Sequence, residues 1–213
     1  MRSYAEYCAV AKSLDVVGDR WTLLIVRELS LRGACRYTDL RHGLPGIATN
    51  LLADRLRELE AAGVIAREDA PPPIATTLFR LTDRGEQLRP VIESLTRWGL
   101  PLMTEQKPDD AVRSHWLASA LEFMLSDAQP DAAPVSVLLD TGDQPIAVEA
   151  GGGAIRARLG PADRADLTLR GAPRPIMGLL LGRLELDAAV AAGVSYEGDP
   201  AVLDRFGAET ALA

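Results

Sequence analysis

A chain of 213 residues with 47% hydrophobic positions is long enough for two small cores, and it holds no apolar run near the roughly 20 residues that cross a bilayer. With Glu6 and Asp15 close to its start it lacks the basic-then-apolar layout of a secretory leader, so a cytoplasmic protein with no membrane partner is expected. The net charge of -7 argues against a nucleic-acid binder only until the chain is split: residues 1–107 carry 15 Lys+Arg against 14 Asp+Glu, and residues 108–213 carry 8 against 16. Of the 15 basic residues in the first part, 13 are arginine, whose planar fork suits phosphates and base edges.

In chain order, Val10, Leu14 and Val17 recur at helical spacing ahead of Gly18, and Trp21, Leu24, Ile25 and Leu29 do so ahead of Gly33. These predict two short helices. Thr38 is placed to cap a third over Asp39–His42, which the run Gly-Leu-Pro-Gly ends. A fourth, from about Thr49 to Ala62, puts Leu51, Leu52, Leu56 and Leu59 along one side and closes at Gly63. Two helices joined by a tight Gly/Pro turn have the helix-turn-helix shape. Residues 64–81 then read as strand, proline-stiffened tip and strand, with Thr77, Phe79 and Leu81 on one face, which is a hairpin wing. From the cap residue Thr82, Leu88, Val91, Ile92, Leu95 and Leu102 form the stripe of a longer helix, bent early by Pro90, that would serve as a dimer arm.

Glu105 to Asp110 mixes charge with proline and reads as a linker between a domain over residues 1–104 and a second over 111–213. The second begins with a helix carrying Trp116, Leu117, Ala120 and Leu121 together. Four short strand-like runs, two helices around Pro175–Leu184 and Leu186–Gly193, the segment Val194–Pro200 and a last helix from Ala201 follow. The fold class expected is therefore α+β, a winged helix-turn-helix followed by a small α+β domain. Gly151–Gly153 lacks the Lys-Ser/Thr pair of a phosphate loop and reads as a hairpin turn. No Ser/His/Asp set, dinucleotide loop or metal-ligand spacing stands out, and His42 and His115 are isolated, so no enzyme, metal or cofactor is expected.

The leucines of the fourth helix belong to the core. If that helix enters the major groove by its N-terminal end, Thr49, Asn50, Ala53 and Asp54 face the bases, with Asn50 suited to adenine. Arg55 lies near the phosphates or packs on acidic side chains, and Arg57 and Glu60 read as a solvated face with local ion pairs. Phosphate contacts are expected from Arg36, Tyr37, Thr38 and Arg41, and from Arg80 or Arg84 beside the wing. The wing tip, Pro71 to Thr77, has no basic residue, which argues against deep minor-groove reading. Trp116, Phe123, Met177, Leu180 and Leu181 are candidates to line an apolar ligand cavity, each equally readable as core. Cys8 is a redox candidate with a competing reading as a small buried hydrophobe; Cys35, although beside Arg36, reads as a turn residue.

The ordered set "GDRWTLLIVREL", "RYTDL", "LPGI", "LLADRLRELEAAGVI" and "LTDRG", preceded by Cys8, resembles the HxlR-type, MarR-like winged helix-turn-helix transcriptional regulators over nearly all of residues 5–104. The resemblance implies a homodimer on a pseudo-palindromic operator in double-stranded DNA, with the fourth helix in the major groove and the wing on the backbone or minor groove. In some members a cysteine at the place of Cys8 senses oxidants or electrophiles; the proline that usually follows it is Ala9 here. Where the family often has serine, then proline and a basic residue, this chain has Ala48, Thr49 and Asn50, so its base preference should depart from typical members. Residues 165–206 resemble the C-terminal part of sterol-carrier-protein-2-like domains, which surround an apolar cavity. That implies a hydrophobic small-molecule effector. The function expected is a repressor whose second domain senses such a molecule. The alternatives are a thiol-based regulator working through Cys8 with a purely structural second domain, and a lipid-binding or transfer protein with a docking winged helix.

Overall fold

The computed structural model describes residues 3–70, 76–103, 109–162 and 164–208, and the chain divides into two compact units, Met1–Thr104 and Glu105–Ala213. Residues 71–75 of the wing tip and 104–108 of the linker lie outside the described residues. Among the described residues, no helix is long and apolar enough to cross a membrane.

In the first unit, α1 (Ala9–Val17) and α2 (Thr22–Arg32) are followed by a two-residue strand β1 (Cys35–Arg36), then α3 (Tyr37–Gly43) and α4 (Thr49–Ala61). The wing is β2 (Ile65–Asp69) and β3 (Thr77–Leu81), antiparallel from Ile65↔Leu81 to Asp69↔Thr77. β1 pairs with the other side of β3, Cys35 opposite Phe79, which makes β3 the middle strand of three. Ile25 and Leu29 of α2, Leu40 of α3, Leu52, Leu56 and Leu59 of α4 and Phe79 and Leu81 of β3 close into one core. Burying several side chains of this size, at about 1.5–3 kcal/mol each, is what fixes α4 against α2 and the wing.

Two sequence expectations are corrected here. Thr38 is not the cap of α3: the helix begins two residues earlier, at Tyr37, and the Arg36 N–H donates to the Asp39 carboxylate at 3.0 Å. The helix after the wing is not continuous. Thr82 does cap it, accepting from the Gly85 N–H at 3.1 Å, but only as far as α5 (Asp83–Glu86); α6 (Arg89–Gly99) starts afresh with Pro90 in its first turn, where a missing N–H costs nothing. α1 and α6 also turn their apolar residues outward: Val10 and Leu14, and Val91, Leu95 and Trp98, are exposed.

The second unit runs α7 (Ser114–Met124), β4 (Leu125–Asp127), β5 (Val135–Asp140), β6 (Ile146–Gly151), β7 (Ala154–Leu159), β8 (Leu167–Arg170), α8 (Pro173–Leu180), α9 (Leu186–Ala191) and β9 (Ser195–Gly198), then a 3-10 stretch (Pro200–Arg205) and β10 (Phe206–Ala208). The five-stranded sheet has the order β7-β6-β5-β8-β9, with β5 and β8 parallel and the other pairs antiparallel. Val137, Leu139, Ile146, Val148, Leu167 and Leu169 share its buried face, as the period of two in each strand requires. Gly151–Gly153 makes the β6–β7 turn, with Gly152 and Gly153 at positive φ, so the hairpin reading holds. The last helix expected from Ala201 is the 3-10 stretch, and α7 buries Ser114, His115, Ala118 and Leu121 rather than the face centred on Trp116.

β4 and β10 pair on their own, and a charged staple joins them. Arg205 donates through Nε and Nη2 to Asp127 at 3.0–3.1 Å, and the same carboxylate accepts the N–H groups of Gln129 and Gly153. Burial by itself would raise the Asp127 carboxyl, but the Gln129 N–H, Arg205 and the Gly153 N–H hold it below the usual carboxylate range.

Candidate nucleic-acid interface

α4 presents two faces of different chemistry. Leu52, Leu56 and Leu59 are buried, whereas Thr49, Asn50, Asp54 and Arg57 are exposed and Ala53 is half-buried between them. These outward positions lie three and four apart and so form one stripe. Its N-terminal end has no side-chain cap, which leaves the first-turn N–H groups of α4 free to face an anion. Asn50 stands on the outer face, and among the described residues its amide has no hydrogen-bond partner.

Arg55 takes the second of its two expected positions. It points back into the unit, where it bonds Asp19 in the α1–α2 loop and Glu58 on its own helix. It braces α4 against that loop. Arg57 pairs with Asp54 and Glu60 with Arg67, the local ion pairs expected for that face. Tyr37 is a second brace: its hydroxyl donates to the Thr49 carbonyl at 2.7 Å, tying the start of α3 to the start of α4.

Of the other residues expected to contact DNA, Arg36, Thr38, Arg41 and Arg84 are exposed, and among the described residues the three arginines make no ion pair. Arg80 is exposed too but shares its charge with Glu68 on the neighbouring strand. Arg67, which sequence reasoning passed over, sits 5.4 Å from the centre of the Phe79 ring. With Tyr37, Ala53, Leu56, Arg57 and Phe79 it lines a shallow hollow of about 280 Å³ between α4 and the wing. Only the strand register, which sets Arg67 opposite Phe79, reveals this, and a hairpin with an uncertain tip does not fix its register in sequence.

The geometry is that of a small helix-turn-helix unit with a wing, and comparison with known proteins agrees. A family model described as HxlR-like helix-turn-helix matches residues 16–107. The HTH-type transcriptional regulator YvaP of Bacillus subtilis is 34% identical over 87 residues, which are 41% of this chain and 80% of that protein. An HTH-type transcriptional regulator of Methanothermobacter thermautotrophicus is 32% identical over 95 residues, 44% of this chain and 72% of its own. The chain belongs to the HxlR-like helix-turn-helix family. Among solved structures, that of PA1607, titled a putative transcription factor, is 36% identical, covers 51% of this chain and 73% of its own, and superposes with a TM-score of 0.44. The family model concerns the first unit, and with the sequence relatives it makes the HxlR-like chain a transcriptional regulator with a helix-turn-helix domain for DNA.

The two cysteines of this HxlR-like protein lie in different surroundings. Cys8 is exposed at the N-terminus of α1, not buried, and the N–H groups of Ala11 and Val10 hold its thiol below the ordinary value. Cys35 is buried in β1 opposite Phe79, not in a turn, and burial pushes its thiol up to about 11 against the smaller opposing pull of Arg32. In the second unit, Leu180 and Leu181 are buried and Met177 packs against the same core, while Trp116 and Phe123 are half-buried on α7. The structure therefore brings three of the five candidate ligand residues together.

Proposed function

We propose that the chain works as a homodimeric repressor on a pseudo-palindromic operator, with α4 in the major groove, the wing along the backbone and the second unit sensing a hydrophobic small molecule. The observation that carries the dimer is the outward apolar stripe: Tyr7, Val10 and Leu14 in and before α1, and Val91, Leu95, Trp98 and Leu102 along and beyond α6, all exposed. Exposed apolar side chains at helical spacing on two helices of one unit are what an isologous interface covers. A two-fold dimer then sets its two α4 helices about 34 Å apart, one turn of duplex, with Arg36, Arg41 and Arg84 on phosphates and Asn50 on a base edge.

The second unit supports the sensing role through its resemblance to sterol-carrier-protein-2-like domains and through the apolar layer that Met177, Leu180 and Leu181 share. A thiol switch is favoured as a second reading by one observation, the exposed Cys8 with its lowered thiol. Hydroxyl-radical footprinting on a selected operator tests the dimer: two protected backbone tracts about one turn apart are expected, and a single tract contradicts it. Measuring operator affinity with fatty acids, and separately with diamide on wild type and Cys8→Ser, tells the two sensing modes apart. A fatty-acid response that survives Cys8→Ser supports the hydrophobic effector, and a diamide response lost in Cys8→Ser supports the thiol.

A further inference from the structure

We infer that Asp54 and Arg57 together read one C·G base pair of the operator, two or three base pairs from the pair that Asn50 contacts. The assignment rests on α4 being the helix that enters the groove. On that helix Asn50, Asp54 and Arg57 share the outward stripe, while Arg55 is bound by Asp19 and Glu58. Of the two α4 arginines, only Arg57 is presented to a ligand, its side chain 68% exposed.

Arg57 and Asp54 already hold each other in an exposed i,i+3 ion pair. A pair this open to water is weak and readily gives way to stronger partners, yet it keeps both side chains on the same patch of helix. A guanine edge offers O6 and N7, two acceptors that match the guanidinium fork, and the paired cytosine offers the N4 amino group, a donor that matches the carboxylate. An A·T pair inverts the match, setting the adenine N6 donor against Arg57 and the thymine O4 acceptor against Asp54. Beside Arg57, the hollow lined by Tyr37, Ala53, Leu56, Arg67 and Phe79 has no carboxylate in its wall and leaves room for the sugar of the contacted nucleotide.

The spacing follows from the helix. For α4 lying along the groove, four to seven residues at 1.5 Å each separate Asn50 from this pair by about 6–10 Å, two or three steps of roughly 3.4 Å along the duplex. Arg57, which in sequence is one charge among several on a solvated face, becomes a specificity-determining side chain.

Site selection from a randomised duplex pool tests this with the full chain as wild type, Arg57→Ala, Arg57→Lys and Asp54→Asn. The wild type should select half-sites with an A·T pair and, two or three positions away, a C·G pair. Arg57→Ala should reduce the guanine preference at that position roughly ten- to a hundredfold and leave the other positions unchanged. Arg57→Lys should keep affinity for mixed-sequence DNA but lose the preference, and Asp54→Asn should relax it. A uniform loss of affinity with an unchanged motif would make Arg57 a phosphate contact and overturn the assignment alone. Failure of the wild type to select any motif would overturn it together with the reading of α4.

Discussion

Arg55 and Arg57 are two positions apart and indistinguishable by composition, yet one is a brace and the other faces solvent; the helical turn decides between them. The same reasoning separates the basic residues around α4. Arg36 is exposed and makes no ion pair among the described residues, so Arg36→Ala should weaken binding to all duplexes similarly and lower the salt slope by about 1, which titration at several salt concentrations checks. Equal slopes would remove Arg36 from the backbone contacts. Gly43 is fixed by packing: a Cβ there would meet the Glu28 Oε2 at 2.0 Å, and that carboxylate is wholly buried and bonded by Arg27 at 2.9 Å. Gly43→Ala should cost about 1–3 kcal/mol in a denaturant titration, as overpacking does. The cysteines give a third prediction at this scale. At pH 8 iodoacetamide should label Cys8 and spare Cys35 in the native protein, as read by mass spectrometry, because one thiol is exposed and lowered and the other buried and raised to about 11. Neither state was legible in the sequence, since the exposure of a cysteine depends on which element lies across from it.

At the level of elements, the sequence carried most of what has a period. α2, α4, the wing strands and β5 to β8 all show their spacing of 3.6 or 2 in the chain. β1, β4 and β10, of two or three residues, are too short to show any period, and they exist through their partners. The break between α5 and α6 was half visible: Pro90 announced a disturbance, but helical packing resolved it into a fresh start. Gly85, in the short α5, sits where a Cβ would lie 2.1 Å from the Val64 carbonyl, which explains the glycine after Thr-Asp-Arg. The α6 stripe predicts that Leu95→Asp lowers the mass in light scattering from dimer to monomer while the helical circular dichroism persists. The β4–β10 staple predicts that Arg205→Ala lowers the midpoint of a denaturant titration, because it leaves the Asp127 carboxylate, whose side chain is hidden from solvent, without its ion-pair partner. As the folded Asp127 carboxyl lies below its unfolded value, near 3.9, its contribution is present above that pH and is lost as the pH falls through the folded value.

For the whole molecule, the proposed regulation requires that the proposed effector prefer one state of the proposed dimer. A coupling of about 1–3 kcal/mol between the sites would change operator affinity roughly 5- to 150-fold, and a ligand with equal affinity for both states would change nothing. The charge division along the chain fits this reading, with the acidic excess in residues 108–213 and 13 of the 15 basic residues of 1–107, the part that carries α4, being arginine. The DNA-reading unit was legible because an ordered set of short motifs pinned it, whereas the candidate ligand residues were apolar positions that core and cavity share. One measurement tests the central claim most directly: incubating the purified full chain with sheared genomic DNA at near-physiological salt and sequencing the fragments it retains. Enrichment of a few sites that share an inverted repeat, with half-sites about one turn apart, is the result a dimer reading through α4 predicts. Retention of fragments with no common motif would contradict it.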